Sequence, residues 1–145
     1  MLKVSGNWRF FLDGELVLEK HNLVTSSGLE ALAKLLSNEE SNDCDIRIAW
    51  GTDNTAAAAG DDTLGAESGR RPIVTRYRSS NSVEFRAYFL ASEAVGTWYE
   101  FGVFLWGTAD ADSGDLLCRL VEGAGVTKTN VQLLTAEITI TFAAA

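Results

Sequence analysis

The chain holds one histidine, His21, so a catalytic triad or a two-histidine metal site must be built around it or not at all. It stands beside Asn22 between an expected strand and an expected helix, where a boundary polar residue satisfies backbone groups. No G-x-S-x-G elbow supplies a nucleophile for it, and His21 is read as that boundary residue rather than as a general base. Asp110, Asp112 and Asp115 lie in Asp-Ala-Asp-Ser-Gly-Asp, which invites a calcium reading. An EF-hand loop requires Gly at its sixth position and Glu at its twelfth; here Gly114 is fifth, Asp115 sixth and Val121 twelfth. The segment reads as a solvated hairpin turn, at most an irregular cation site, and no metal is assigned. Neither a G-x-x-x-x-G-K-[ST] nor a G-x-G-x-x-G phosphate loop occurs. With 20 acidic residues, spacing cannot single out a hydrolytic carboxylate pair, because such groups meet only in the fold. No catalytic residue and no cofactor are assigned.

A second group of side chains concerns contact rather than catalysis. Arg70, Arg71, Arg76, Arg78 and Arg86 are five of the 12 basic residues and fall within one expected hairpin and its entry. They are either a solvated face partnered by Glu84 and Glu100, or a basic surface that docks on an acidic face of another copy. The segment Trp98 to Trp106 adds a related question, because Tyr99, Phe101, Val103 and Leu105 form one apolar face and Trp98, Phe104 and Trp106 another. A strand apolar on both faces is either central, with the helix packed on its far side, or meets a second subunit through its aromatic face. The expected interface residues are therefore Trp98, Phe104, Trp106 and the five arginines, together with the Thr52–Gly69 loop.

Composition limits the partners. The formal charge of -8 and the isoelectric point near 4.6 disfavour nucleic acid, which needs a basic footprint, and anionic membrane surfaces. No run approaches the ~18 apolar residues of a membrane helix. The N-terminus shows no positive stretch leading into an apolar one, so no signal peptide is expected. Cys44 and Cys118 are far apart in the chain and are expected as free thiols.

These side chains must be positioned by elements of a mainly β chain. The length of 145 residues suits a single domain, 1–145, with a possible N-terminal hairpin arm over 1–20. Val4–Leu12 and Glu15–Lys20 flank Asp13-Gly14, a tight-hairpin dipeptide. Ser27-x-x-Glu30 has capping-box form, and Leu29, Leu32, Leu35 and Leu36 follow at helical spacing. The spacing predicts a surface helix over 26–37, ended by Asn38. Strands are expected over 46–50, 72–78, 82–90, 98–106, 115–121 and 131–142, with Ala143–Ala145 frayed. The 52–69 loop is longer than most connections in a compact domain. The fold class is an antiparallel β-sandwich or barrel of about eight strands with one short helix.

The order of motifs carries a resemblance. His21-Asn22-Leu23-Val24 precedes Gly28-Leu29 and then Ile48-Ala49-Trp50-Gly51-Thr52. Thr63-Leu64, Glu67 and Arg70-Arg71 follow the small-residue loop. Tyr99-Glu100-Phe101-Gly102-Val103-Phe104, Gly114-Asp115-Leu116-Leu117-Cys118-Arg119, Lys128 and a last alternating strand complete the series. This layout resembles small tail-associated structural proteins of tailed bacteriophages and the particle-attachment domains that begin many phage tail fibres, over roughly 21–142. It departs from that pattern at Asp53, where a second Gly is usual, and the shaft or receptor-binding tip of a complete fibre is not expected in it. The resemblance implies a non-enzymatic virion protein made in the host bacterial cytoplasm, a tail or tail-fibre adaptor or tail-tip component. Its expected partners are further copies of itself, in a trimer or hexameric ring, and other virion proteins. The alternatives are a capsid decoration protein clamping the head shell and, third, a carbohydrate-binding domain.

Overall fold

A computed structural model describes residues 2–40 and 43–144. The chain runs β1 (Leu2–Leu12), β2 (Glu15–Val24), α1 (Ser26–Ser37), β3 (Ile46–Gly51), β4 (Glu67–Pro72) and β5 (Thr75–Ser79). It continues through β6 (Ser82–Phe89), β7 (Gly96–Leu105), β8 (Asp115–Lys128) and β9 (Leu134–Ala144). All pairings are antiparallel, and one curled sheet of nine strands, a half-barrel, has the order β4-β3-β7-β8-β2-β1-β9-β6-β5. Its two edge strands are consecutive in the chain. Ile73 N–H donates to Ile46 O on one side and Val74 N–H to Arg86 O on the other, which draws the edges together.

Local chemistry explains the elements. Asp13 and Gly14 both take positive φ (50° and 82°) between the paired residues Leu12 and Glu15, the geometry a two-residue hairpin demands. The helix occupies 26–37 as its spacing requires, with Asn38 in the left-handed region at its end. Its N-cap is Thr25 rather than the Ser27 capping box: Thr25 Oγ1 accepts from Gly28 N–H at 3.0 Å and donates to Leu116 O at 2.8 Å. Thr25 thus closes the helix start and ties it to β8 at once, which Ser27, inside the first turn, cannot do.

Several boundaries differ from the periodicity. β2 extends to Val24 because Asn22 still pairs with Gly6 and Leu23 and Val24 pair with Arg119 and Cys118. His21 therefore lies within an exposed strand, opposite Asn7. Glu67–Pro72 is a strand and not the end of the loop, which raises the count to nine; its backbone pairs with β3 although its sequence, Glu-Ser-Gly-Arg-Arg-Pro, alternates no apolar residues. β8 continues to Lys128, so the Gly-Ala-Gly stretch 123–125 belongs to a strand. The first hairpin is no separate arm, since β1 pairs with β9 along its whole length, from Leu2↔Ala144 to Leu12↔Leu134. That pairing also orders Ala143 and Ala144; Ala145 lies outside the described residues.

The concave face holds the main core. Trp8 and Phe10 from β1, Phe85, Ala87 and Phe89 from β6, Phe101 and Val103 from β7, and Ile138 and Ile140 from β9 are buried there. Trp8 stacks on Phe10 with ring centroids 5.5 Å apart, and Phe101 lies 4.5 Å from Phe10. A second, smaller core of Ala49, Leu64, Phe104 and Leu116 lies on the opposite face of β3, β7 and β8. The far side of β7 is thus covered by the long loop, through Leu64, whereas α1 packs on β8.

Candidate functional site

The sheet's outer face is organised by a buried ion cluster that periodicity could not reveal. Glu100 on β7 is fully buried and its Oε2 accepts from Asp53 N–H (2.9 Å) and Ala66 N–H (2.8 Å). Its Oε1 accepts from Gly65 N–H (2.7 Å) and from Arg119 Nε (3.2 Å). Arg119 on β8 also reaches Asp61 (3.0 Å) and Asp53 (3.5 Å). One carboxylate and one guanidinium therefore pin both ends of the 52–66 loop to the sheet. Asp53 takes part directly: the Thr55 N–H and hydroxyl donate to it and hold its carboxyl below the ordinary carboxylate range. A side chain at position 53, where the resemblance places glycine, supplies a further acid to Arg119.

A second cluster fixes the 107–114 turn. Arg70 meets Glu67 through two hydrogen bonds of 2.7 and 2.8 Å, donates to Ser113 O at 2.8 Å and lies 4.3 Å from the Phe104 ring centre. Glu67 Oε1 accepts in turn from Asp112 N–H. The turn is built on Ser113, whose hydroxyl donates to Asp110 O and accepts from Thr108 N–H. Asp115 pairs with Lys34 of α1 at 3.0 Å. Asp110 and Asp112 stand in the turn and Asp115 opens β8; among the described residues no three His, Cys, Asp or Glu side chains are grouped to hold a metal ion.

These contacts correct part of the expected interface. Phe104 is wholly buried beneath Arg70, and Arg70 is itself 8% exposed, so both belong to the monomer's interior. Arg71 pairs with Glu93 and Arg86 with Glu137 and Glu84. Glu84 is a partner as expected, whereas Glu100 turns to Arg119 instead. Arg76 and Arg78 donate to the carbonyls of Cys44 and Ser80. Trp98 is half-buried against Trp50 and donates its indole N–H to Ala94 O at 2.7 Å; Trp106 is half-buried at the end of β7, with φ 55°. The eight residues do not share one surface: Phe104 and Arg70 are buried, and register puts Arg76 and Arg78 on the face of Phe85 and Val83 while Arg86, between Phe85 and Ala87, lies on the opposite face.

The structure gathers a different apolar surface at the end of the half-barrel remote from α1. Register brings Leu12, Leu134 and Phe89 side by side, and Gly96 opposite Lys128, so the 12–15, 90–95 and 129–133 connections meet there. Asp13 N–H donates to Leu133 O, and Leu133 N–H donates to the Asp13 carboxylate. Lys128 is buried and donates to Ala91 O (3.0 Å) and Thr129 O (3.2 Å); that burial holds its ammonium below the ordinary lysine range. Around this brace Leu16, Val17, Leu90, Val95, Val131 and Leu133 are exposed, Val131 to 80%. Leu16 and Val17 lie at the start of β2 and the other four in the connections after β6 and β8; the pattern predicts strands over 82–90 and 131–142, but β6 ends at Phe89 and β9 begins only at Leu134. Glu67, Glu100, Arg119 and Lys128, by contrast, all stand in the quoted motifs, but only the fold shows what they hold. No protein-family model, curated protein or solved structure matches this chain.

Proposed function

We propose that this chain is a non-enzymatic structural protein of a bacteriophage virion, a tail or tail-fibre adaptor or tail-tip component that assembles through contact surfaces. The observation that carries the reading is the braced apolar end formed by Leu16, Val17, Leu90, Val95, Val131 and Leu133. Four of these aliphatic side chains stand on loops that a buried lysine and Asp13 lock in place and two at the start of β2; held in water they cost solubility and serve docking. The motif order supports the same reading. Its polar members act as internal clamps for the long loop and the turns, which suits a rigid component whose role is to present surfaces. Further copies and neighbouring virion proteins are the partners that fit an apolar end on an acidic chain.

Gold-labelled antibody on intact phage particles tests the location, and light scattering of the purified chain tests self-association. Label on the tail or its tip, with a multimeric mass that Val131→Glu with Leu133→Glu reduces to one chain, is the expected result. Label spread over the head replaces the adaptor by a decoration protein. Absence of label from particles overturns the virion reading.

A further inference from the structure

At the opposite end the half-barrel opens under α1 into an apolar cavity of about 280 Å³. Leu32 and Leu35 of the helix form its roof, and Phe85, Ile140 and Phe142 form part of its wall. Leu32, Leu35 and Phe142 pack against the buried core without being buried themselves. One cation stands in this lining. Arg76 shares the face of Phe85, its pairing partner, and so projects toward the concave side of the sheet. Its NH2 donates to Cys44 O at 2.9 Å, which holds the guanidinium at the cavity mouth. In a chain with 20 acidic residues, none of the described carboxylates forms an ion pair with it.

We propose that this cavity binds an amphipathic carboxylate, with an apolar body among the helix and strand side chains and its acid group on Arg76. The fit rests on three features. Size is the first: an apolar cavity of about 150 Å³ accepts benzene, so 280 Å³ takes a body of roughly ten non-hydrogen atoms. The second is chemistry, since an apolar lining with one oriented polar group is the usual design of a small-molecule site. Charge is the third. A guanidinium fixed by one bond keeps its other N–H groups for a planar two-oxygen acceptor, which a carboxylate supplies and an alcohol does not. The inference does not rest on the virion reading.

Octanoate is the probe, with octanol and octylammonium as controls, all titrated calorimetrically below micelle formation. Octanoate should bind one to one, at least tenfold tighter than octanol, and octylammonium should not bind. Arg76→Gln should bring octanoate down to the level of octanol, and Leu32→Trp, which fills the cavity from its roof, should abolish both. Cys44 lines the cavity and is 5% exposed, whereas Cys118 is wholly buried away from it. In the unaltered chain, octanoate should therefore slow alkylation of Cys44 severalfold, a readout that survives if a variant fails to fold. Equal affinities for acid and alcohol, no binding at millimolar octanoate, or unchanged Cys44 labelling at saturation would each overturn the proposal.

Discussion

Replacing Glu100 by Gln probes the clamp that seats the 52–66 loop. The carboxylate accepts four hydrogen bonds, two at each oxygen. A Gln amide keeps one accepting oxygen and presents an NH2 where the other stood. With its oxygen toward Asp53 and Ala66, the NH2 faces the Gly65 N–H and the Arg119 guanidinium, leaving two donors unsatisfied and one buried cation without its buried partner. An unsatisfied buried donor costs about 1–3 kcal/mol, and breaking a buried ion pair from one side costs about 3–5 kcal/mol. Because the terms overlap and Asp53 and Asp61 still face Arg119, about 4 kcal/mol is expected for the variant. That is a large share of the roughly 5–15 kcal/mol that holds a domain folded. Urea unfolding followed by tryptophan fluorescence reads the loss, and amide exchange at Asp53, Gly65 and Ala66 locates it. Asp61→Asn is the control: Asp61 is a quarter exposed, unlike Glu100, and water can take over part of its role, so its loss should cost clearly less than that of Glu100→Gln. Adding Arg119→Met to Glu100→Gln should recover part of the deficit by removing the stranded cation. A Glu100→Gln loss below about 1 kcal/mol, with those three amides still protected, would refute the clamp.

Two further outcomes follow from packing and burial. Gly28 lies so close to β8 that an added Cβ would stand 2.1 Å from Leu117 O; Gly28→Ala should destabilise by about 1–3 kcal/mol, although helix propensity alone favours Ala by roughly 1 kcal/mol. Thermal unfolding decides between them, and a stabilised variant would show that the helix is free to lift. Burial pushes the Cys118 thiol up to about 12, against 9.0 for the ordinary group. Since the folded state then keeps a proton that the unfolded state releases, this contribution is whole below pH 9 and is lost as pH rises toward 12. The slope is on the order of 1 kcal/mol per pH unit. Urea midpoints for the parent and Cys118→Ala between pH 8 and pH 10 should converge as pH rises, and parallel profiles would contradict the burial argument.

The apolar end and the cavity place two different kinds of surface at opposite ends of one rigid sheet. Docking of a large partner at the loop end leaves the mouth beneath α1 open. Lys128 braces the first and Arg76 guards the second, so two cations in an acidic chain have different duties. One is desolvated and donates to two carbonyls; the other donates to one and keeps donors free.

Local chemistry made much of the fold legible. The Asp13-Gly14 turn, the helix with its Asn38 stop, and the alternating strands β6 and β9 are written in short-range pattern, because turn dihedrals, helical period and strand period depend on neighbours in the chain. The apolar character of both faces of β7 was likewise visible. What covers its far face was not, since Leu64 and Arg70 reach Phe104 only through a long loop and an edge strand that no periodicity marks. The same limit governed the arginines. Five of them in one stretch read as a basic surface, yet Arg70 is spent on Glu67, Arg71 on Glu93 and Arg86 on Glu137, and Glu137 is distant in sequence. Sequence can state which charges exist; which ones remain for a partner depends on three-dimensional neighbours. Glu100 and Arg119 are the clearest case, because register places them on adjacent strands and burial then makes their pairing obligatory.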